Sequence, residues 1–302
     1  MRSVPIGVAV VNWNGREDTL ACLESLIAAD PRPARVVVVD NASTDDSVQE
    51  IAAWIERHAD SGFELLVSDT NRGFAGANNL ALASLAPDGG LTHFFLLNND
   101  ATADSRCFAE LERALTETPA AGIMGVTIFE SGPERRPWFA GGSVLLWRAL
   151  GRHHCEVPRD GRVVPTGFVT GCAMLVSRLA WNVLGPLPTC YFVYFEDTEY
   201  CVRARAAGLE VVYAPRPVVY HLVAGTARRG AVAAALTEYR FANARALFAR
   251  RNLRGGTQWG AFTYLVVTGF ARAVLRTLRG RPIRAWAAFR GTLAGLAARE
   301  GR

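Results

Sequence analysis

Apolar positions fall in two rhythms along the first hundred residues. Gly7-Val-Ala-Val-Val11 is an unbroken apolar run of the kind a parallel strand buried on both faces requires, and Thr19 to Ala28 then follows a helical period. Arg35-Val-Val-Val-Val-Asp40 repeats the strand pattern, with a helix from Ser47 to His58. Phe63 to Ser68 and Ala75 to Leu85 give a third strand and helix. His93-Phe-Phe-Leu-Leu97 is a fourth strand, followed by a helix from Phe108 to Thr118 that Pro119 stops. This alternation predicts an α/β, Rossmann-like, mostly parallel sheet flanked by helices.

From Gly122 to about Pro165 glycine and proline become frequent, and Trp138, Phe139 and Trp147 stand among short apolar runs, which predicts loops and antiparallel strands. Order returns with a strand at Gly171-Cys-Ala-Met-Leu-Val176, a helix from Phe195 to Ala207 and a strand from Glu210 to Ala214. After Ala231 the pattern is helical, clearest at Leu236 to Arg251 and Phe262 to Leu278. The chain therefore divides into an α/β domain over residues 1–221 and a C-terminal helical tail over residues 222–302.

Open parallel sheets bind ligands beyond the carboxyl ends of their strands. Strand one ends in Asn12-Trp13-Asn14, strand two in Asp40-Asn41 and strand four in Asn98-Asn99-Asp100, so one edge collects carboxylates and amides. Asp100 can hold a hard divalent cation together with diphosphate oxygens, or can cap a turn. Asp40 can accept from a base or ribose, while Thr44, Asp45 and Asp46 crowd a helix start as caps. Asn71-Arg72-Gly73-Phe74-Ala75-Gly76-Ala77-Asn78-Asn79 is a glycine-containing loop opening a helix whose N-terminus favours anions. In Phe195-Glu196-Asp197-Thr198-Glu199 three acids sit beside an aromatic run, where Asp197 or Glu196 can deprotonate a hydroxyl or supply an acidic first helical turn. His221 ends an apolar run and gains significance only if the fold brings it to Asp100.

Composition narrows the chemistry. Half of the 302 residues are apolar and a fifth charged, as in an ordered globular chain. All 33 basic residues are arginine, which excludes a P-loop lysine, a Schiff-base lysine and a Tyr-x-x-x-Lys pair. Fifteen arginines face only Glu238 and Glu300 from Leu222 onward, a balance of +13, against −8 for the first 221 residues. A tail of this kind meets something anionic, such as a lipid surface or a polyanionic acceptor, or is a solvated helical face. The six scattered cysteines read as buried free thiols, and His153-His154-Cys155 as a loop rather than a metal cluster. With no leader and cleavage site at the start, the chain reads as cytoplasmic.

The motifs Val39 to Ser47, Asn71 to Asn78, Asn98 to Asp100, Thr170 to Arg178 and Phe195 to Glu199 occur in an order that resembles the family-2 glycosyltransferases. The likeness is greatest to their rhamnosyltransferase-like branch and covers roughly Val4 to Leu253. It implies a GT-A fold, a Mn²⁺ or Mg²⁺ ion, a dTDP-, UDP- or GDP-linked sugar donor and inversion at the anomeric carbon. It also implies a glycan, lipid-linked or small-molecule acceptor, recognised over about residues 122–221, and a role in polysaccharide or cell-wall synthesis. By position, Asp40 would contact base or ribose and Trp13 would stack near the base. Asn12, Asn14, Asn71, Arg72, Gly73, Asn78, Asn98 and Asn99 would complete the donor site. Asp100 and His221 would be metal ligands, and Asp197, with Glu196 beside it, the catalytic base. The family triplet usually carries more than one carboxylate, whereas Asn98 and Asn99 offer only neutral oxygens.

Two other readings compete. A sugar nucleotidyltransferase would want a glycine-rich basic loop after strand one, where this chain has Asn12-Trp13-Asn14-Gly15-Arg16. A non-catalytic nucleotide-sugar-binding module would have no use for the Glu196–Asp197 pair. An oxidoreductase would want G-x-G-x-x-G, which is missing, and nucleic acid is not an expected partner. In the tail, Gly255 to Ala271 is uncharged but interrupted by Thr257, Gln258, Thr263 and Thr268, so it falls short of a membrane span. At its end and beyond, Phe270, Val274 and Leu278 follow helical spacing with Arg272, Arg276 and Arg279 on other faces, which predicts a basic amphipathic helix that lies on the inner face of a membrane, packs on the catalytic domain or forms a homodimer contact.

Overall fold

A computed structural model describes residues 3–222, 231–280 and 282–298. The first half is the expected alternation: β1 (Ser3–Asn12), α1 (Arg16–Ile27), β2 (Arg32–Asp40), α2 (Ser47–Arg57), β3 (Phe63–Val67), α3 (Gly73–Leu85) and β4 (His93–Asn98). A short β5 (Ala101–Ala103) and α4 (Cys107–Glu117) follow. The segment predicted to be loops and short strands instead opens with a long one, β6 (Ala121–Glu130), whose first eight residues are buried. Its two glycines and lack of alternation hid it: Gly125 is where Val169 and Phe139 crowd the strand too closely for a side chain. The short strands β7 (Pro137–Phe139), β8 (Gly142–Leu145), β9 (Leu150–His153) and β10 (Val164–Pro165) come next. They lead to β11 (Ala173–Ser177), α5 (Arg178–Leu184), α6 (Glu196–Ala206) and β12 (Glu210–His221), the last running seven residues beyond its predicted end.

The strand order is β10-β12-β6-β11-β4-β1-β2-β3, with β5 on β12 and β7 on β6. β1 runs parallel to both β2 and β4, and β2 parallel to β3. β11 is antiparallel to β4 and β6, which makes the sheet mixed. The chain leaves β1 in one direction for β2 and β3 and returns on its other side with β4, creating a crevice at their carboxyl ends. Register fixes what stands there: Asn12 is level with Asp40, and Val11 with Asn98. The β1, β2 and β4 side chains are almost wholly buried between helices, which accounts for their unbroken apolar runs. Four cysteines are buried as expected, but Cys155 and Cys190 are exposed.

Three helices close the chain: α7 (Ala231–Asn252), α8 (Gly255–Leu278) and α9 (Pro282–Ala297). Among the described residues α8, 24 residues long, is the one helix long and apolar enough to cross a membrane by length and composition, with a mean hydropathy of 1.2 over its 18-residue apolar stretch. This corrects the expectation that the segment falls short, because the helix extends past Ala271 through Val274, Leu275 and Leu278. The packing of α9 on α7 relies on Gly291 and Gly295, where any Cβ would run into the carbonyls of Tyr239 and Asn243. Arg228, Arg229, Arg281 and the residues from Arg299 onward lie outside the described residues.

The helices are tied to the α/β part at Glu199 in α6. This buried carboxylate accepts from Tyr191 Oη at 2.5 Å, Asn252 Nδ2 at 2.8 Å and the Arg251 guanidinium at 3.1 and 3.2 Å. Burial alone would raise its pKa, but the bonds from Arg251, Tyr191 and Asn252 outweigh that and hold it below the ordinary carboxylate value. Its stabilising contribution is therefore present at neutral pH and lost as pH falls through the acid range. Glu199→Ala should lower the unfolding free energy at pH 7 by about 3 kcal/mol, read from urea denaturation, because three donors lose their partner in a buried site. A loss below about 0.5 kcal/mol would mean the contact does not hold the helices.

Candidate active site

The first strand ends in a polar knot. Asn12 is fully buried and donates to Asp40 Oδ2 at 2.7 Å and Ser43 Oγ at 3.1 Å. Its carbonyl oxygen accepts from Gly15 N, Thr19 Oγ1 and Asn99 Nδ2 at 3.1, 2.8 and 3.4 Å. Asp40 accepts in addition from Ser43 N at 2.9 Å. It is fully enclosed, and here it orients Asn12 and the turn after β2. Asn14, in the left-handed region at φ 52°, accepts from Thr44 N at 2.7 Å, and its own N–H donates to Ser43 Oγ. Asn14 and Trp13, the latter 41% exposed, form the open rim above this knot.

The loop before α3 is held by Asn41, a strand-end amide that sequence reading left without a binding role. Its side chain donates to Asn71 Oδ1 at 3.0 Å and accepts from Arg72 N at 2.8 Å. Arg72 is exposed and its Nε donates to Ser68 Oγ. Gly73 has φ 68° and lies so close to the Phe192 carbonyl that a Cβ would stand 2.2 Å from that oxygen. Phe74 N donates to the same carbonyl at 2.9 Å, so this loop and the segment before α6 are joined. Asn78 is not at the rim: it is buried in α3 and donates to the Phe74 carbonyl. Arg178, the last residue of its motif, clamps the carbonyls of Leu91, Ala86 and Asp88 instead of facing the crevice.

Beyond β4, Asn98 and Asn99 are half-buried, and Asn99 donates to Thr19 Oγ1 at 3.0 Å. Asp100 and His221 meet because β5 pairs antiparallel with the end of β12, setting Ala101 opposite His221. His221 Nε2 lies 3.1 Å from Asp100 Oδ1, too oblique for a hydrogen bond, and both Asp100 Oδ1 and His221 Nδ1 are buried without a hydrogen-bond partner. Adjacent ligands of an octahedral cation bound at about 2.1 Å stand about 3 Å apart. The pair therefore fits two ligands of one divalent ion. No group of three or more His, Cys, Asp or Glu suited to a metal occurs among the described residues.

The acid pair sits at the start of α6, directly after two non-glycine residues in the left-handed region, Tyr194 (φ 75°) and Phe195 (φ 71°). Such backbone costs about 1–3 kcal/mol per residue and persists where surrounding structure imposes it. Asp197 Oδ2 accepts from Gly171 N at 2.8 Å, and Oδ1 from Thr198 N at 2.6 Å and Thr198 Oγ1 at 3.1 Å. Burial raises its pKa against these bonds. Glu196 is 4% exposed with Oε2 unpartnered, and burial, helped by the charge of Asp197, pushes its pKa to about 8.

His153, which sequence reading left in a loop, stands between the two centres. Its ring packs 4.6 Å from Trp138, whose other neighbour is His221 at 4.8 Å. It lies within electrostatic reach of Asp197 and His221, and burial holds it below the ordinary histidine value. Cys172 likewise lies within reach of both Asp100 and Asp197, and burial pushes its thiol well up. The acid pair and the Asp100–His221 pair thus flank one site. A cavity of about 670 Å³ lies elsewhere, beside Thr166, Arg205 and the amino-terminal half of β12, and neither pair lines it.

A family model described as Glycosyl transferase family 2 matches residues 7–180. The chain is 28% identical over 222 residues to an N-acetylglucosaminyl-diphospho-decaprenol L-rhamnosyltransferase of Mycobacterium tuberculosis, covering 66% of this chain and 70% of that one. It is 24% identical over 214 residues to the low-salt glycan biosynthesis hexosyltransferase Agl10 of Haloferax volcanii, covering 68% of this chain and 63% of that relative's length. Its fold is similar to that of the mannosyltransferase PcManGT of Pyrobaculum calidifontis, solved with GDP-Man and Mn²⁺ (TM-score 0.58, 18% identity, 97% of this chain and 86% of that one). It is similar also to S. aureus TarS 1–349 in complex with UDP-GlcNAc (TM-score 0.55, 13% identity, 97% and 91%). These neighbours have the GT-A fold. The chain belongs to glycosyl transferase family 2.

Proposed function

We propose that this enzyme is inverting and divalent-metal-dependent, and that it moves a hexose, rhamnose foremost, from a dTDP-, UDP- or GDP-linked donor to a hydroxyl of a lipid-linked acceptor. The convergence of Glu196–Asp197 and Asp100–His221 on one site carries this reading. The donor and acceptor classes rest on the nucleotide sugars named with the solved neighbours and on the diphospho-decaprenol named in the mycobacterial relative. A non-catalytic module would have no reason to bury two adjacent carboxylates behind a strained turn.

The donor would lie along the rim made by Trp13, Asn14 and the Asn71–Gly73 loop. Asp100 and His221 would hold Mn²⁺ or Mg²⁺. The bound ion would supply neutralisation of the charge that develops on the departing nucleoside diphosphate. Because Asn98 and Asn99 contribute no charge, affinity for the ion alone is expected to be low and to rise with donor present. Asp197 is the base. The bonds from Gly171 and Thr198 fix its carboxylate, and it takes the proton of the acceptor hydroxyl as that oxygen attacks the anomeric carbon opposite the leaving diphosphate. The C–O bond to the acceptor forms as the C–O bond to the diphosphate breaks, which inverts the centre. Burial and the neighbouring charge of Asp197 raise the Glu196 pKa to about 8, which favours its protonated form beside the base.

Asp197→Asn should lower turnover by about two to four orders of magnitude with donor binding retained, as read by initial rates and calorimetry. Near-normal turnover would transfer the role to Glu196. Glu196→Gln, which mimics the protonated acid, should keep most of the activity. It should also change stability: with its folded pKa raised from 4.5 to about 8, Glu196 adds stability at low pH that is lost as pH rises between those values. Unfolding free energy across pH 5–9 should be flatter in the Gln variant, and an unchanged slope would show that Glu196 titrates normally.

Chelation by EDTA should abolish transfer, and Mn²⁺ or Mg²⁺ should restore it. Asp100→Ala and His221→Ala should each weaken metal-dependent donor binding by about tenfold or more. Full activity in chelator would refute the metal assignment.

A further inference from the structure

The helix α8 is amphipathic in the opposite sense from a helix on a water-facing surface. It buries small or single residues, Ala261, Leu265 and Ala273, while Trp259, Val267, Phe270, Val274 and Leu278 are exposed. Their spacing of eight, three, four and four positions makes one stripe along the outer side of the helix. Leu278 is 79% exposed and Trp259 67%. The arginines take the other sides: Arg272 and Arg276 line the hollow between α7, α8 and α9, where Arg276 pairs with Glu238 at 3.2 Å. On α9 the exposed Ile283 (66%) and Trp286 (40%) continue the surface. The ring of Phe270 packs 6.3 Å from Trp286 and 5.7 Å from Phe289, so the apolar surface is continuous across both helices. A contiguous apolar surface of this kind marks an interaction site.

Charge selects the occupant. Between Gly255 and Ala298 the sequence has six arginines and no acid. A second copy of the chain would bring like charges together, which disfavours association. A surface of anionic lipid headgroups complements both features at once: apolar side chains enter the acyl boundary and the exposed Arg279, Arg284 and Arg290 supply the positive charge for the headgroups. Tryptophan at such a boundary keeps its ring apolar and its N–H wet. A span is disfavoured by packing, since one side of α8 lies against the protein and the arginines Arg272 and Arg276 fall in its second half.

We propose that the outward face of α8 and α9 docks on an anionic lipid bilayer, the two helices lying in the interface without crossing it. This goes beyond the transfer reaction and does not depend on which sugar or acceptor is used. It gives the surface a function that the catalytic site does not need: it would hold the enzyme beside substrates carried in that membrane.

The test is flotation of the full-length protein with vesicles of phosphatidylcholine alone or mixed with phosphatidylglycerol, at low and high salt. Binding is expected with the anionic vesicles, weaker with neutral ones, and reduced by salt. The double variant Leu278→Asp and Ile283→Asp, at two exposed positions that leave the fold intact by circular dichroism, should reduce vesicle binding by about tenfold or more. Asp197→Asn should float as the wild type does, which keeps membrane docking and catalysis separately testable. Protein that stays unbound at low salt with anionic vesicles overturns the proposal. So does a lipid-independent dimer in sedimentation that the double variant dissociates, since the face would then belong to a second copy.

Discussion

Three carboxylates buried within one turn of a helix set the terms for the rest of this structure. Glu196, Asp197 and Glu199 are all largely withdrawn from water at the start of α6, where each unpaired charge would be costly. Each is accommodated differently. Glu199 is neutralised by Arg251 and bonded by Tyr191 and Asn252. Asp197 is bonded by two backbone N–H groups and the Thr198 hydroxyl, and the Glu196 pKa is raised by burial. One acid therefore holds the C-terminal helices, one is fixed by hydrogen bonds, and one is pushed by burial toward its protonated form. The left-handed pair Tyr194–Phe195 presents them in that order.

The opposite wall depends on strand pairing. The short strand β5 exists only as far as needed to bring Asp100 to the end of β12, where it meets His221. Both side chains have a polar atom that the protein leaves unbonded, in a molecule whose other polar residues at this edge, Asn12, Asp40, Asn41 and Asn99, are bonded to one another. The contrast separates positioning from binding. The amide knot makes the crevice rigid, and the two unsatisfied groups mark where a ligand's charge can be taken up.

The C-terminal helices join these two themes. They are fastened inward through Glu199 and through Arg245, whose buried guanidinium donates to the Arg148 and Ala149 carbonyls. Close approach of α9 to α7 at Gly291 and Gly295 leaves little room for large apolar side chains between helices. Those side chains are placed on the outer face instead, so the same packing that secures the helices creates the surface they present.

Much of the catalytic half was legible in the chain. The apolar runs predicted β1 through β4 and their helices because a strand buried on both faces has a local signature, and the residues at the strand ends follow from chain direction alone. The absence of lysine and the arginine-rich tail are likewise properties of the sequence. Other features are decided by residues distant in the chain. Gly122 and Gly125 disguised β6, which is a strand because neighbours press on it from both sides. His153 and Trp138 looked like loop residues until β7 and β9 set them between His221 and Asp197. Asn78 matched a motif yet is turned into α3. The helical period of α8 is visible in its residues, but a periodic pattern is the same whichever way the helix is rotated. Only its packing against α7 and α9 determined that the apolar stripe faces outward.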